Sequence, residues 1–407
     1  MDDETLIAEL ERQRDFARQC FAHYARQEAQ GVILERPKPD LSEITAPLTA
    51  ILTGHPVFGP GRNIFFASKQ LNLHPQYVPQ GLLRMMLGGD APSAVSWLHH
   101  LFEIDRADLR MVAVVHGLEV EQPVILANNV HLLPFAATPD SPNFRALARR
   151  YQINPWSMTE FESVLPPAMA VVNMGSMAAS ADPTAGNAAY DVAYNAILDA
   201  VRGFTLADRA SPVVGNSWTD FVDPALAVAE FGRMWMTGRF EGSLSQGPRA
   251  KVDEEALAWA ERYLLMDESL RRSVNIALDR LNLARRRRSA GDQAIDGGIC
   301  LEALLGDDSP QELTYKLRLR AALLLGMTLA ERREIRRAVG ALYDLRSKVV
   351  HGRPRRPEDI ESDARHAARG LDICTQAVRA MVRRNVHPDF AMWELTGGQD
   401  ENKDVDV

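Results

Sequence analysis

Residues 343–352 read YDLRSKVVHG and hold the two side chains of this chain best suited to chemistry, Arg346 and His351. An ordinary imidazole has a pKa of ~6.5 and exchanges a proton near neutrality, and a positioned general acid or base contributes about 10²–10⁴-fold in rate. A guanidinium keeps its proton and can grip two oxygens of a phosphate at once. Together they match the needs of metal-free RNA cleavage. That reaction takes a proton from a 2′-hydroxyl, gives one to the departing 5′ oxygen, and neutralises the charge that grows on the phosphorane. A plainer reading competes with this one: helices often end in a cation followed by glycine, because cations suit the negative end of the helix dipole.

Positioning these two groups is the task of the helix that carries them. On a regular helix, positions i and i+5 lie ~140° apart, so the side chains diverge unless the helix ends or loosens at His351, and Gly352 allows it to. Thr328 with Glu331 has the spacing of a capping box that opens this helix, which then runs over about 329–350. Val349 and Val350 are apolar and are expected to be buried. Nearly everything after Val252 reads as helix. Asp253 is placed to cap DEEALAWAERYLLM, which continues into ESLRRSVNIALDRLNLARRRRS as one broken or two consecutive helices. DQAIDGGICLEALLG, QELTYKLRLRAALLLG and a last helix over about 357–384 follow. Four or five antiparallel helices with short connections make a bundle.

The segments DRLNLARRRRSAGDQAIDGGICLEALLGDD, ELTYKLRLRAALLLG and YDLRSKVVHG resemble the Apea-like branch of the HEPN domains, over roughly residues 255–385. Arg-x4-His spacing alone is common; the specificity lies in its combination with the basic helix and the CLEALL helix. The resemblance implies an all-helical domain that pairs as a two-fold homodimer and cuts RNA without metal or cofactor, with Arg346 and His351 as the catalytic pair. A two-fold axis would bring two copies of each into one cleft. Supporting roles fall to Ser347, Glu302 and Tyr343. Ser347 stands where the family often has Asn, Asp or His, and its hydroxyl can still bind phosphate or orient His351. Glu302 resembles an acidic residue on a neighbouring helix that fixes the arginine; a surface glutamate is the competing reading. Lys348 and Arg353 lie near enough to meet the RNA backbone, and Arg285 and Arg286 open the run 285–288 that could extend a basic groove. Taken singly, each of these cations also reads as a solvated surface charge.

The remainder carries no comparable signal. Residues 4–29 hold a helical apolar stripe that stops before Gly31, so 1–31 is set apart as an N-terminal helix. From Pro37 the pattern breaks into short apolar pieces with turn residues, which predicts strands and loops. The runs 111–120 and 124–135 are β-branched and read as a hairpin or meander with a tight turn at Asn128-Asn129. Ser163 to Ala181 lacks charge but is too rich in Pro, Asn and Gly for a membrane span, and reads as a buried core segment. GSLSQGPRAK at 242–251 marks the domain boundary. The organisation expected is thus α+β. A mixed or mostly β sensing or regulatory domain spans 32–248, a helical bundle 249–390, and an acidic tail 391–407.

Composition is that of a globular protein. The chain has 407 residues, 46% hydrophobic and 25% charged, enough for two or three domains. Its net charge is -8, yet residues 262–356 hold 20 Lys and Arg against 12 Asp and Glu, which points to a polyanionic partner. The start, MDDETLIAELERQRDF, lacks a secretory core and predicts a cytoplasmic protein. Three cysteines without CxxC spacing suggest core thiols, and neither a disulfide framework nor a zinc site. No phosphate loop, dinucleotide turn or zinc helix occurs, and Ser217 in GNSWT lacks the second glycine of a nucleophile elbow. His99, His100, His116 and His131 read as ordinary structural or surface residues on loops and strands. Two functions remain open. One is a ribonuclease toxin or anti-phage effector held inactive until an unknown ligand acts on the N-terminal domain. The other is a non-catalytic HEPN module for RNA binding or protein interaction.

Overall fold

The computed structural model describes residues 2–30, 40–67, 69–153, 167–229, 249–307, 312–352 and 359–397. The first part is helical. Helices α1 (Asp3–Gln30) and α2 (Leu41–Thr53) are followed by a hairpin of β1 (Asn63–Phe66) and β2 (Lys69–Asn72), then by α3 (Pro79–Gly88) and α4 (Ala91–Glu103). They share one apolar core that includes Leu6, Leu10, Leu48, Phe66, Leu82 and Leu98. The strands and loops expected from Pro37 onward are therefore largely wrong, and α1 does not stand apart. Asp40 and Asp90 cap α2 and α4 by accepting from the amides of Ser42 and Ser93. Pro79 and Pro92 sit in first turns, where the missing N–H costs nothing, so prolines that read as breakers are helix starts.

The central sheet follows. Its strands are β3 (Arg106–His116), β5 (Val124–Ile125), β6 (His131–Leu133), β7 (Ala168–Ala178) and β8 (Val213–Phe221), in the order β5-β6-β7-β3-β8, all antiparallel. A short parallel pair, β4 (Leu118–Glu119) with β9 (Ala250–Lys251), lies beside it. The predicted pairing of 111–120 with 124–135 does not form, because β7 enters between β3 and β6. The turn at Asn128-Asn129 instead closes the small β5–β6 hairpin, with Asn129 at φ 60. Alternation along β3 serves both faces. Met111, Ala113 and Val115 pack on Ile197, Ala200 and Val201 of α6 (Asn187–Gly203). Val112 and Val114 share a core with Trp218 and with Leu147 of α5 (Pro142–Ile153). Of the uncharged segment expected to be buried, the start of β7, Ala168–Val172, is so; residues 173–181 are exposed or half-buried, and 163–166 lie outside the described residues. A short α7 (Pro224–Val228) ends this part; most of the predicted 242–251 boundary also lies outside the described residues.

The bundle comprises α8 (Glu254–Leu264), α9 (Glu268–Arg286), α10 (Ala290–Leu305), α11 (Leu313–Leu325), α12 (Leu329–Val350), α13 (Asp359–Arg384) and α14 (Phe390–Thr396). Asp253 accepts from Ala256 N at 2.9 Å, and the Thr328–Glu331 capping box closes in both directions. Helix α10 runs through the centre, packed on α9, α12 and α13. The tail begins as helix: Trp393 of α14 is 2% exposed, and Glu394 Oε1 accepts from the buried Arg320 at 2.8 Å; 398–407 lie outside the described residues. Sheet and bundle share α8, whose Ala256 and Ala260 belong to the sheet core and whose Tyr263 belongs to the bundle core. Among the described residues no helix is long and apolar enough to cross a membrane, and Cys20, Cys300 and Cys374 are buried free thiols.

Candidate functional site

Helix α12 carries YDLRSKVVHG to its C-terminus, and its register decides what each residue meets. Leu342, Tyr343 and Leu345 are buried, whereas Ser347, Lys348, Val350 and His351 are exposed. Tyr343 Oη lies 3.0 Å from the Gly298 carbonyl oxygen and 3.1 Å from Glu302 Oε1. Arg346 Nη1 donates to the same Oε1, and its guanidinium carbon sits 5.3 Å from the centre of the Tyr343 ring, within cation–π range. Gly298 and Glu302 are one turn apart on α10, so a single helix face offers both the carbonyl and the carboxylate. Gly298 also makes the approach possible: a Cβ there would lie 2.9 Å from Arg346 Cδ.

The cluster is held by charge yet open to solvent. Burial, and then the Glu302 carboxylate, push the Tyr343 pKa well above the usual phenol range. Tyr343 thus stays protonated and donates its one hydrogen to one acceptor at a time. The side chains of Arg346 and Glu302 are 27% and 24% exposed.

His351 is the C-cap of α12, with φ -89 and ψ 8, and its amide donates to Ser347 O at 3.1 Å. Gly352 follows at φ 61 and donates to Val349 O at 3.0 Å. The helix therefore ends at the imidazole, which is exposed. Of the two valines, only Val349 packs inward, against Gly291, where a Cβ would come within 2.5 Å of Val349 Cγ2. Val350 is 61% exposed, contrary to expectation, because one helical step of about 100° turns it away from α10.

Other predicted residues are distributed differently. Ser347 and Lys348 stand exposed on the final turn of α12. Arg353 lies outside the described residues. Arg285 and Arg286 do not line an open groove beside Arg346. Arg285 donates to the carbonyls of Thr205, Ala210 and Asp208 and to Thr375 Oγ1, and burial pulls its pKa down to about 10. Arg286 is 7% exposed, with Nε 2.9 Å from Asn282 Oδ1. Arg285 thus works at the junction of sheet and bundle, where the carbonyls of Thr205, Asp208 and Ala210 take guanidinium donors, while Arg286 bonds Asn282, which in turn bonds Pro212 O. His99 and His100 lie on α4 rather than on a loop. His55 and His99 hold Asp3 from two sides at 3.1 and 3.0 Å, which ties α1 to the turn after α2 and to α4.

Two contributors escaped the sequence reading. One is Gly298; a glycine pair inside a helix costs roughly 1 kcal/mol per residue and is itself a sign of close approach. The other is Asp296, 3% exposed and two residues before Gly298, whose carboxylate takes Arg280 Nη1 at 3.2 Å and Arg287 Nε at 2.9 Å. Among the described residues no cluster of three His, Cys, Asp or Glu is arranged to hold a metal. No protein-family model, curated protein or solved structure matches this chain.

Proposed function

We propose that the protein is a metal-independent RNA endonuclease of the Apea-like HEPN kind, acting in the cytoplasm as a toxin or anti-phage effector under control of its N-terminal part. One observation carries the reading: Arg346 is clamped by Glu302 over Tyr343, while His351 stands exposed at the terminus of the same helix. With Nη1 on Glu302, the opposite edge of the guanidinium meets the scissile phosphate and neutralises the charge that grows there.

The proton steps belong to His351. A neutral imidazole takes the 2′-hydroxyl proton as that oxygen attacks phosphorus, and a protonated one delivers a proton to the 5′ oxygen as the P–O5′ bond breaks, leaving a 2′,3′-cyclic phosphate. A two-fold homodimer divides these roles between two imidazoles in one cleft. Ser347 binds a phosphate oxygen one turn before His351, and Lys348 and Arg353 hold the flanking backbone.

The test is cleavage of RNA in chelator by wild type and His351→Ala. Wild type retains activity, and the variant falls to background with an unchanged unfolding midpoint; an equally active variant ends the proposal. A second reading, a non-catalytic RNA-binding or interaction module, draws on the neutralisation of Arg346 by Glu302. On that reading the two proteins behave alike in every cleavage assay.

A further inference from the structure

Between α6, the start of β8 and α9 lies a cleft of about 620 Å³, at the junction of sheet and bundle. That volume is within the range of small-molecule sites, which favour such junctions. Three arginines line it, Arg202, Arg280 and Arg286, against one carboxylate, Asp279. Arg202 spends its donors on Asp199 and Asp279, and Arg280, with its side chain 42% exposed, places Nη1 on the buried Asp296 at 3.2 Å. Arg286 is seated by Asn282, whose Nδ2 donates to Pro212 O at 2.8 Å and thereby spans the two halves of the cleft. The opposite character comes from Leu198, Val214, Leu283 and Ile276, the last 50% exposed on the α9 wall.

At the floor is His116, 6% exposed, with no hydrogen bond to any described residue. Gly215 leaves room for its ring, since a Cβ there would lie 2.8 Å from Nε2. Burial and then the nearby Arg249 charge push this imidazole down to about 4, so it is neutral at pH 7 and offers one donor and one acceptor. A buried imidazole with no hydrogen-bond partner among the described residues, a partly exposed guanidinium on Arg280 and an apolar wall are complementary to one kind of molecule.

We propose that this cleft binds an organic phosphate of nucleotide size, its anionic end on Arg280 and Arg286 and its apolar or aromatic body over Ile276, with His116 bonding a polar group between them. If the ribonuclease reading holds, this is where a trigger meets the bundle.

The full-length protein is titrated with 8-anilinonaphthalene-1-sulfonate, an aromatic anion of matching chemistry, and then with ATP as competitor. One saturable site is expected, displaced by ATP, with adenosine or inorganic phosphate alone at least about tenfold weaker. Ile276→Glu and Arg280→Gln each weaken binding by about fivefold or more, with unchanged circular dichroism. No saturable binding, binding that ATP does not displace, or binding that neither substitution weakens overturns the proposal. The same titration on His351→Ala gives an answer that is independent of RNA cleavage.

Discussion

Arg346 reaches Glu302 because Gly298 has no side chain, and that makes a single hydrogen atom on α10 decisive. Gly298→Ala places a Cβ 2.9 Å from Arg346 Cδ, too close to tolerate without movement. Alanine also suits a helix better than glycine by about 1 kcal/mol, which offsets the crowding in the stability balance. The expected result is stability within about 1 kcal/mol of wild type by urea unfolding, together with a loss of RNA cleavage of about tenfold or more as the guanidinium shifts. Unchanged cleavage would separate Arg346 from the chemistry. At His116 the folded pKa, about 4, lies below the value of 6.5 expected when the chain unfolds. The unfolded state therefore binds the extra proton, and stability present above pH 6.5 is lost as pH falls toward 4, by about 3 kcal/mol at most. Urea titrations at pH 7 and 4.5 should show a smaller loss for His116→Gln than for wild type; equal losses would mean the imidazole is not desolvated.

At the level of elements, α12 is defined at both ends by its own residues. The Thr328–Glu331 box begins it and Gly352, at φ 61, ends it. Nothing lies within 4 Å of a Cβ built at Gly352, so substitution there tests backbone strain alone. Gly352→Ala is expected to cost about 1 kcal/mol and to lower cleavage further than this loss explains, because the turn aims His351. Gly352→Asn, which tolerates the left-handed region, restores most of both. Thermal unfolding and initial cleavage rates measure the pair, and equal behaviour of the two variants would show that the left-handed turn is not what matters. The same scale explains Arg285: a cationic helix end met the buried carbonyls of Thr205 and Ala210, and hydrogen bonding there claimed the cation.

For the whole molecule, the defining feature is α10 between two tasks. One face supports Arg346 through Gly298 and Glu302; on another, Asp296 holds Arg280 of α9, which borders the junction cleft, and Arg287 just past its end. The two groups of charged hydrogen bonds thus share one helix, α10. The proposed division of proton transfer between two His351 residues requires two copies of the chain. Sedimentation equilibrium should give twice the chain mass at concentrations where RNA is cleaved, and mixing His351→Ala with wild type should depress activity more than dilution does. A monomer that cleaves RNA would rule out the paired site.

Local rules in the sequence were enough for the helices of the bundle, because capping residues, apolar period and terminal glycine act within a few residues of one another. Asp253, Thr328, Glu331 and Gly352 each sit where that chemistry put them. The grouping of Tyr343, Arg346 and Glu302 drew on the resemblance for its residues and on packing for its geometry, since α10 and α12 meet only through the fold. What the sequence left unreadable was non-local. Strand β7 separates β3 from β6 although more than 30 residues of chain lie between it and β6, and prolines that look like breakers start helices. Burial of a charge is likewise decided by distant partners, which is why Arg285 read as a surface cation and proved to be a junction donor. Spacing along the chain fixes what a segment can become by itself; tertiary structure alone decides which donors find acceptors and which are left facing a cleft.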